Sequence, residues 1–255
     1  FTALISACQK GHEAIAKLLV DNHACVNAYQ VAAGNRKSFT ALMSASQRGY
    51  KAICKLLIDN GADVNTELYN GHTALMSASQ EGRKAVAELL IDKGAKLDAC
   101  LKNSGRYNGH TALMAASWKG HAGVAELLID KGVNVNACRN NAGDLNGYTA
   151  LMAACQFGQK AVAELLIEKG ANIDACQSNA GDFNGLTALM WASRKGQEVV
   201  VELLINRGAD INASMEDGWN ALMWASSKGY TTIAELLVSA GAIQSEVINK
   251  NGHFN

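Results

Sequence analysis

Apolar residues recur along this chain at helical spacing, in short bursts that end on Gly. The stretch from Thr111 to Tyr148 shows one full cycle. Leu113, Ala116 and Ser117 fall at i, i+3 and i+4, on one face of a short helix. Thr111, just ahead of them, carries the hydroxyl that an N-cap requires. Gly120 closes that helix, since Gly takes the left-handed conformation at little cost. Val124, Leu127 and Leu128 repeat the spacing in a second helix, which Gly132 ends. Val133-Asn134-Val135-Asn136 reads as extended, the run Asn140 to Asp144 is rich in turn formers, and Asn146-Gly147 leads into the next cap. The pattern predicts a helix–turn–helix unit followed by a hairpin-like loop.

The unit itself repeats. Its cap stands at Thr2, Thr40, Thr73, Thr111, Thr149 and Thr187, and as Asn at Asn220. The step is 33 residues from Thr40 to Thr73 and from Thr187 to Asn220, and 38 elsewhere. A fixed period of roughly 20–50 residues signals a solenoid in which each unit buries its apolar face against its neighbours. The expectation is an all-α repeat solenoid forming a single domain over residues 1–255. Its repeats start near residues 1, 39, 72, 110, 148, 186 and 219, with 243–255 as a C-terminal tail or cap. The extra residues of the longer steps fall in fingers at Tyr29–Lys37, Cys100–Asn108, Cys138–Asn146 and Cys176–Asn184.

Seven copies in register resemble the ankyrin repeat. The family signature Thr-Pro-Leu-His-x-Ala lines up with Thr111-Ala112-Leu113-Met114-Ala115-Ala116. The later Gly-Ala-Asp-Val-Asn and Gly-Ala-Asp-Ile-Asn occur at Gly61–Asn65 and Gly208–Asn212. The resemblance runs from Phe1 to about Ala242 and implies stacked helix pairs with β-hairpin-like fingers. The signature Pro is always Ala here, and the signature His is Ile5, Met43, Met76, Met114, Met152, Met190 or Met223, which exchanges a polar network for apolar packing. His23 replaces the Gly that ends helix two elsewhere, so a left-handed His is expected, at a cost of about 1 kcal/mol.

Composition narrows the function. Lys and Arg total 23 and Asp and Glu total 23, so no global basic field exists to bind nucleic acid. No apolar run approaches the ~18 residues that span a bilayer. No phosphate loop, His-Glu-x-x-His or nucleophile elbow is present, so neither catalytic residues nor a cofactor is expected. His72 and His110, like Cys100, Cys138 and Cys176, share columns in neighbouring repeats. A spacing of about 8–10 Å between stacked elements is too wide for a shared metal ion or a disulfide. Cys8, Cys54 and Cys155 stand where other repeats have Ser or Ala and read as small core residues, while Cys25 occupies the place of Asp63 and Asp210. The cysteine usage fits a cytoplasmic or other reducing compartment, with a secreted effector as the alternative. The column Glu88, Glu126, Glu164, Glu202 and Glu235 reads as a solvated helix face.

Large side chains are distributed unevenly. On helix one, positions 115, 118 and 119 and their equivalents are expected to point away from the core. They are wholly polar in the first three repeats: Ser6, Gln9 and Lys10; Ser44, Gln47 and Arg48; Ser77, Gln80 and Glu81. From repeat four onward Trp118, Phe157, Trp191 and Trp224 enter, with Trp219, Tyr148 and Leu186 at the residue before the cap. In ankyrin proteins this face and the fingers line a partner-binding groove. The resemblance therefore implies groove positions for Trp118, Lys119, Tyr148, Phe157, Leu186, Trp191, Arg194, Trp219 and Trp224, a composition matching binding hot spots. The competing reading has Trp191 and Trp224 packing on neighbouring repeats. The expected function is a non-enzymatic protein–protein interaction scaffold, monomeric unless part of a larger chain.

An alternative reading is a targeting segment of a larger enzyme or secreted effector. Phe1-Thr2-Ala3-Leu4 echoes Phe39-Thr40-Ala41-Leu42, so the chain opens inside a repeat, and Asn251-Gly252-His253 echoes the turns before Thr73 and Thr111. The resemblance also makes Asn65 and Asn212 look like sites for the family's asparaginyl hydroxylase.

Overall fold

A computed structural model describes residues 2–29, 39–102, 109–138, 146–178 and 184–243. Over the described residues the chain forms fourteen short helices in pairs. Contacts divide it into two compact units. The first takes Phe1–Asn103 with His110–Ala116 and Gly123–Val133, and the second takes Ser104–Gly109, Ser117–Ala122 and Asn134–Asn255.

The first unit holds α1 (Ala3–Lys10), α2 (Glu13–Asp21), α3 (Ala41–Arg48), α4 (Lys51–Asp59), α5 (Ala74–Gln80) and α6 (Lys84–Asp92). It also holds Ala112–Ala116 of α7 (Ala112–Lys119) and Gly123–Asp130 of α8 (Ala122–Asp130). The odd-numbered α1, α3 and α5 pack in one row, and α2, α4 and α6 in another. In the second unit α9 (Ala150–Gln156), α11 (Ala188–Arg194) and α13 (Ala221–Ser227) form one row. The second row there is α10 (Lys160–Glu168), α12 (Glu198–Asn206) and α14 (Thr231–Ser239).

Helices of this length fall below the roughly 12–15 residues at which an isolated helix becomes marginal, so caps and packing must hold them. Every expected cap forms. Each of the six Thr hydroxyls, and the Asn220 side-chain oxygen, accepts from the backbone N–H three residues on at 3.0–3.3 Å. Inside, Ala45, Ala78, Ala154 and Ala192 are fully buried, which lets helix-one backbones approach closely, while Leu57, Leu90, Leu166 and Leu204 fill the second row. The Met residues at the signature His position are buried from Met43 to Met190. Cys8, Cys54 and Cys155 are buried too, as small core residues should be. His23 adopts φ +62°, the left-handed conformation expected of it.

Two side-chain ladders tie one repeat to the next. The Asn27 amide donates to Gly61 O at 2.9 Å and its oxygen accepts from Asp63 N at 2.9 Å. Asn65 does the same to Gly94 and Lys96, Asn136 to Gly170 and Asn172, and Asn212 to Gly241 and Ile243. The second ladder covers the Gly at the end of helix one with the residue that precedes the next helix two. A Cβ on Gly11 would meet the Tyr50 ring at 2.6 Å, and one on Gly120 would run into the Gln159 amide.

The finger tips, residues 30–38, 103–108, 139–145 and 179–183, lie outside the described residues. Of the expected hairpins, the described residues hold isolated antiparallel bridges at the loop bases: Tyr29 with Thr40, Cys100 with Thr111, Cys138 with Thr149 and Ser214 with Asn220.

Candidate interaction surface

Helix one is only about two turns long and has a neighbour on each side, so its buried face is wider than the i, i+3, i+4 stripe. The expectation that position 115 and its equivalents point outward is corrected here: Ser44, Ser77, Ala115, Ala153 and Trp191 are all buried. The residue before a cap lies over this column. His72 shows the geometry, with its Nε2 2.8 Å from Ser77 Oγ and its ring edge-on to Phe39 at 5.8 Å. Burial pushes the His72 pKa down to about 4.

In the second unit the same positions carry aromatic rings. Tyr148 meets Trp191 edge-on at 6.0 Å, and Trp219 lies 4.6 Å from Trp224. The Trp191 indole donates to Gln177 Oε1 at 3.1 Å, and the Tyr148 hydroxyl donates to Gln156 Oε1 at 2.6 Å. Tyr148, Leu186 and Trp191 were expected on the groove surface, and all three are buried in the free chain, Trp191 with 2 % of its surface exposed. The pre-cap residue closes over the preceding loop base and helix one, which takes these side chains inward.

The next two columns stay outside. Trp118 is half-exposed and packs 5.5 Å from Phe157, which keeps 43 % of its surface exposed. Lys119 Nζ lies 4.5 Å above the Trp118 ring. Arg194 sits between two indoles, 5.3 Å from Trp191 and 4.7 Å from Trp224. Such cation–π contacts are worth roughly 0.5–2 kcal/mol, depending on desolvation. Trp219 and Trp224 are half-exposed. The structure therefore gathers two clusters, Trp118–Lys119–Phe157 and Tyr148–Trp191–Arg194–Trp224–Trp219, and leaves Leu186 beneath, its carbonyl accepting from Gln177 N. In the first unit, Gln9, Gln47 and Gln80 hold the place of Trp118.

Two features escaped the sequence reading. Gln177 fixes the Trp191 rotamer from inside a finger base, and the only sequence signal is a Gln where the neighbouring fingers have Leu101 and Arg139. The Asn ladder also went unread, and the signal that could have found it is a recurrent Asn or Asp at residues 27, 65, 98, 136, 174 and 212.

The remaining candidate chemistry is quiet. No group of three or more His, Cys, Asp or Glu side chains could hold a metal ion among the described residues. No described helix is long and apolar enough to cross a membrane. Cys138 and Cys176 are exposed and Cys100 half-exposed, whereas burial raises the thiol pKa of Cys8 to about 12 and of Cys54 to about 11. Glu126 and Glu164 are not merely solvated: they pair with Lys84 at 3.7 Å and Arg207 at 2.7 Å.

The chain matches the family description "Ankyrin repeats (3 copies)" over residues 1–67, 30–99, 63–139, 97–177 and 175–249. Among solved structures, that of the human ASB11 ankyrin repeat domain superposes with a TM-score of 0.79 at 25% identity, covering 96% of this chain and 100% of that one. No curated protein matches it. With overlapping matches along nearly its whole length and helix pairs stacked within each unit, the chain belongs to the ankyrin-repeat family.

Proposed function

We propose that this protein is a non-enzymatic scaffold that binds a partner protein on the helix-one face of its second unit. The observation that carries the reading is the change at one register position, from Gln9, Gln47 and Gln80 to Trp118, with exposed Phe157 beside it and Lys119 over the indole. Aromatic rings that reach the surface beside cations have the composition of a hot spot, not of a polar rim. Trp118, Lys119, Phe157, Trp219 and Trp224 supply the contact surface, with Arg194 between the rings. Tyr148, Leu186 and Trp191 act from beneath by holding those rings in place. Helices locked by caps and ladders present the surface preformed, which limits the ordering cost of binding.

A photo-crosslinking phenylalanine at Phe157, with the same residue at Gln47 as control, tests the proposal. The expected result is a discrete protein adduct from Phe157 alone. The purified adduct partner should then lose about 2 kcal/mol or more of affinity for a Trp118→Ala, Phe157→Ala double variant that retains wild-type helicity. Equal adducts from both sites, or unchanged affinity, would overturn the assignment.

A further inference from the structure

One register position, the last before the Gly that ends helix one, carries a line of chemistry along the second unit. It holds Lys119, Phe157, Lys195 and Lys228 in successive repeats, and all four are exposed. In the first unit the same position holds Lys10, Arg48 and Glu81, so no single sign runs along it. Charge on the second unit is also divided between its two rows of helices. The helix-one row carries Lys119 and Arg194, with Lys195 and Lys228 in the caps that follow α11 and α13, and no carboxylate. The helix-two row carries Glu164, Glu168, Glu198, Glu202 and Glu235. A cation of that second row finds its partner there, as Arg207 does with Glu164 at 2.7 Å. The helix-one row offers no such acid. A cation at a helix C-terminus also suits the helix dipole. That role does not require one here, since Glu81 and Phe157 hold the same place.

We propose that the partner reads this line with an extended acidic segment of its chain. One carboxylate meets Lys119, an apolar side chain packs on Phe157, and further carboxylates meet Lys195 and Lys228. The inference rests on the reading of the aromatic face as the partner surface and adds the partner's chemistry. Stacked helices lie about 10 Å apart and an extended chain advances about 3.3 Å per residue, so one repeat corresponds to about three residues. The segment therefore runs acidic-x-x-apolar-x-x-acidic-x-x-acidic, in that order or its reverse. The rings supply the apolar contact, while Lys119 over Trp118 and Arg194 between Trp191 and Trp224 hold positive charge beside it. Charges so exposed steer the encounter and select the partner more than they tighten the complex. Beside Trp219 the sign reverses. Glu216 and Asp217 are exposed there, and Asp217 Oδ1 accepts from Trp219 N at 3.1 Å, so the acidic segment keeps to the helix-end side of that ring.

A display library of random peptides about 16 residues long, enough in extended form to exceed the span from Lys119 to Lys228, tests this when selected on the full chain at low ionic strength. Peptides retained by the wild type and lost by the Trp118→Ala, Phe157→Ala double variant should carry Asp or Glu at the stated spacing. One such peptide, synthesised with a fluorophore, should bind the Lys119→Glu, Lys228→Glu variant at least about tenfold more weakly by anisotropy. That difference should shrink in high salt. Both lysines are exposed, so this variant should keep wild-type helicity. Peptides that need Trp118 and Phe157 but lack acids at that spacing, or that bind the charge-reversed variant as well as wild type, would overturn the acidic segment and leave the aromatic surface standing. Peptides indifferent to the aromatic double variant, or no selected peptide at all, would overturn both readings.

Discussion

Trp191→Ala should be among the most damaging single changes in the second unit, although the residue was expected to face a partner. The side chain is buried, its indole N–H donates to Gln177 at 3.1 Å, and its ring meets Tyr148 edge-on and Arg194 face-on. Truncating a buried Trp to Ala costs about 3–5 kcal/mol, which combines lost transfer energy with the cavity left behind. Gln177, itself buried, would also lose its indole partner, which places the expectation toward the upper end of that range. Trp118→Ala is the control. Trp118 keeps part of its surface in solvent, so its truncation should forfeit less, about 1–2 kcal/mol against the roughly 1.5–3 that full burial of a large side chain contributes. Urea unfolding followed by helical circular dichroism measures both without relying on tryptophan emission. Since stability in a repeat array is distributed, a broadened transition in Trp191→Ala would itself mark uncoupling of the second unit. A cost below about 1.5 kcal/mol for Trp191→Ala, or equal costs for the two variants, would refute the assignment of Trp191 to the core.

His72 should give the first unit an acid-sensitive step. Its folded pKa of about 4 lies below the ordinary 6.5, so the unfolded chain binds the proton first, and stability present above pH 6.5 should fall as pH drops toward 4. In His72→Gln that slope should flatten, which acid titration of the unfolding midpoint would show. The cysteines should separate into two classes in the native protein: Cys25, Cys138 and Cys176 should react readily with a thiol reagent, whereas Cys8, Cys54 and Cys155 should react only on unfolding. Because Cys8 and Cys54 ionise near 9 when unfolded and at about 12 and 11 when folded, their contribution to stability should persist up to pH 9 and decline above it. Rapid native labelling of Cys54 would contradict its burial.

Most of the architecture was legible because it is local. A Thr cap, two apolar helical stripes and a terminating Gly are each set within a few residues, and seven copies average out the ambiguity of any one. The caps, the buried Met column and the left-handed His23 followed from that local chemistry. The column of Ser44, Ser77 and Trp191 did not. Helical periodicity counts angles around one axis, whereas this column is covered by a pre-cap residue and a loop base packed from outside the helix. The partner surface was legible as a change in residue type between Gln80 and Trp118. Its division into exposed Phe157, partly covered Trp118 and buried Tyr148, Leu186 and Trp191 depends on packing across repeats, which one sequence does not display.

The Asn ladder separates two quantities that a repeat protein would otherwise have to change together. Asp63 N reaches Asn27 across 36 residues at 2.9 Å, and Lys96 N reaches Asn65 across 31 at 2.8 Å, so a long and a short step end in the same pair of bonds. The pitch of the stack is fixed by atoms upstream of each finger, and finger length is left free to vary. Lengthening a loop costs little in closure entropy, so an insertion between residues 30 and 38 should change what the chain displays without resetting the helices on either side. Evolution, or a library builder, can then diversify a finger within either unit while the helix pairs on its two sides keep their spacing.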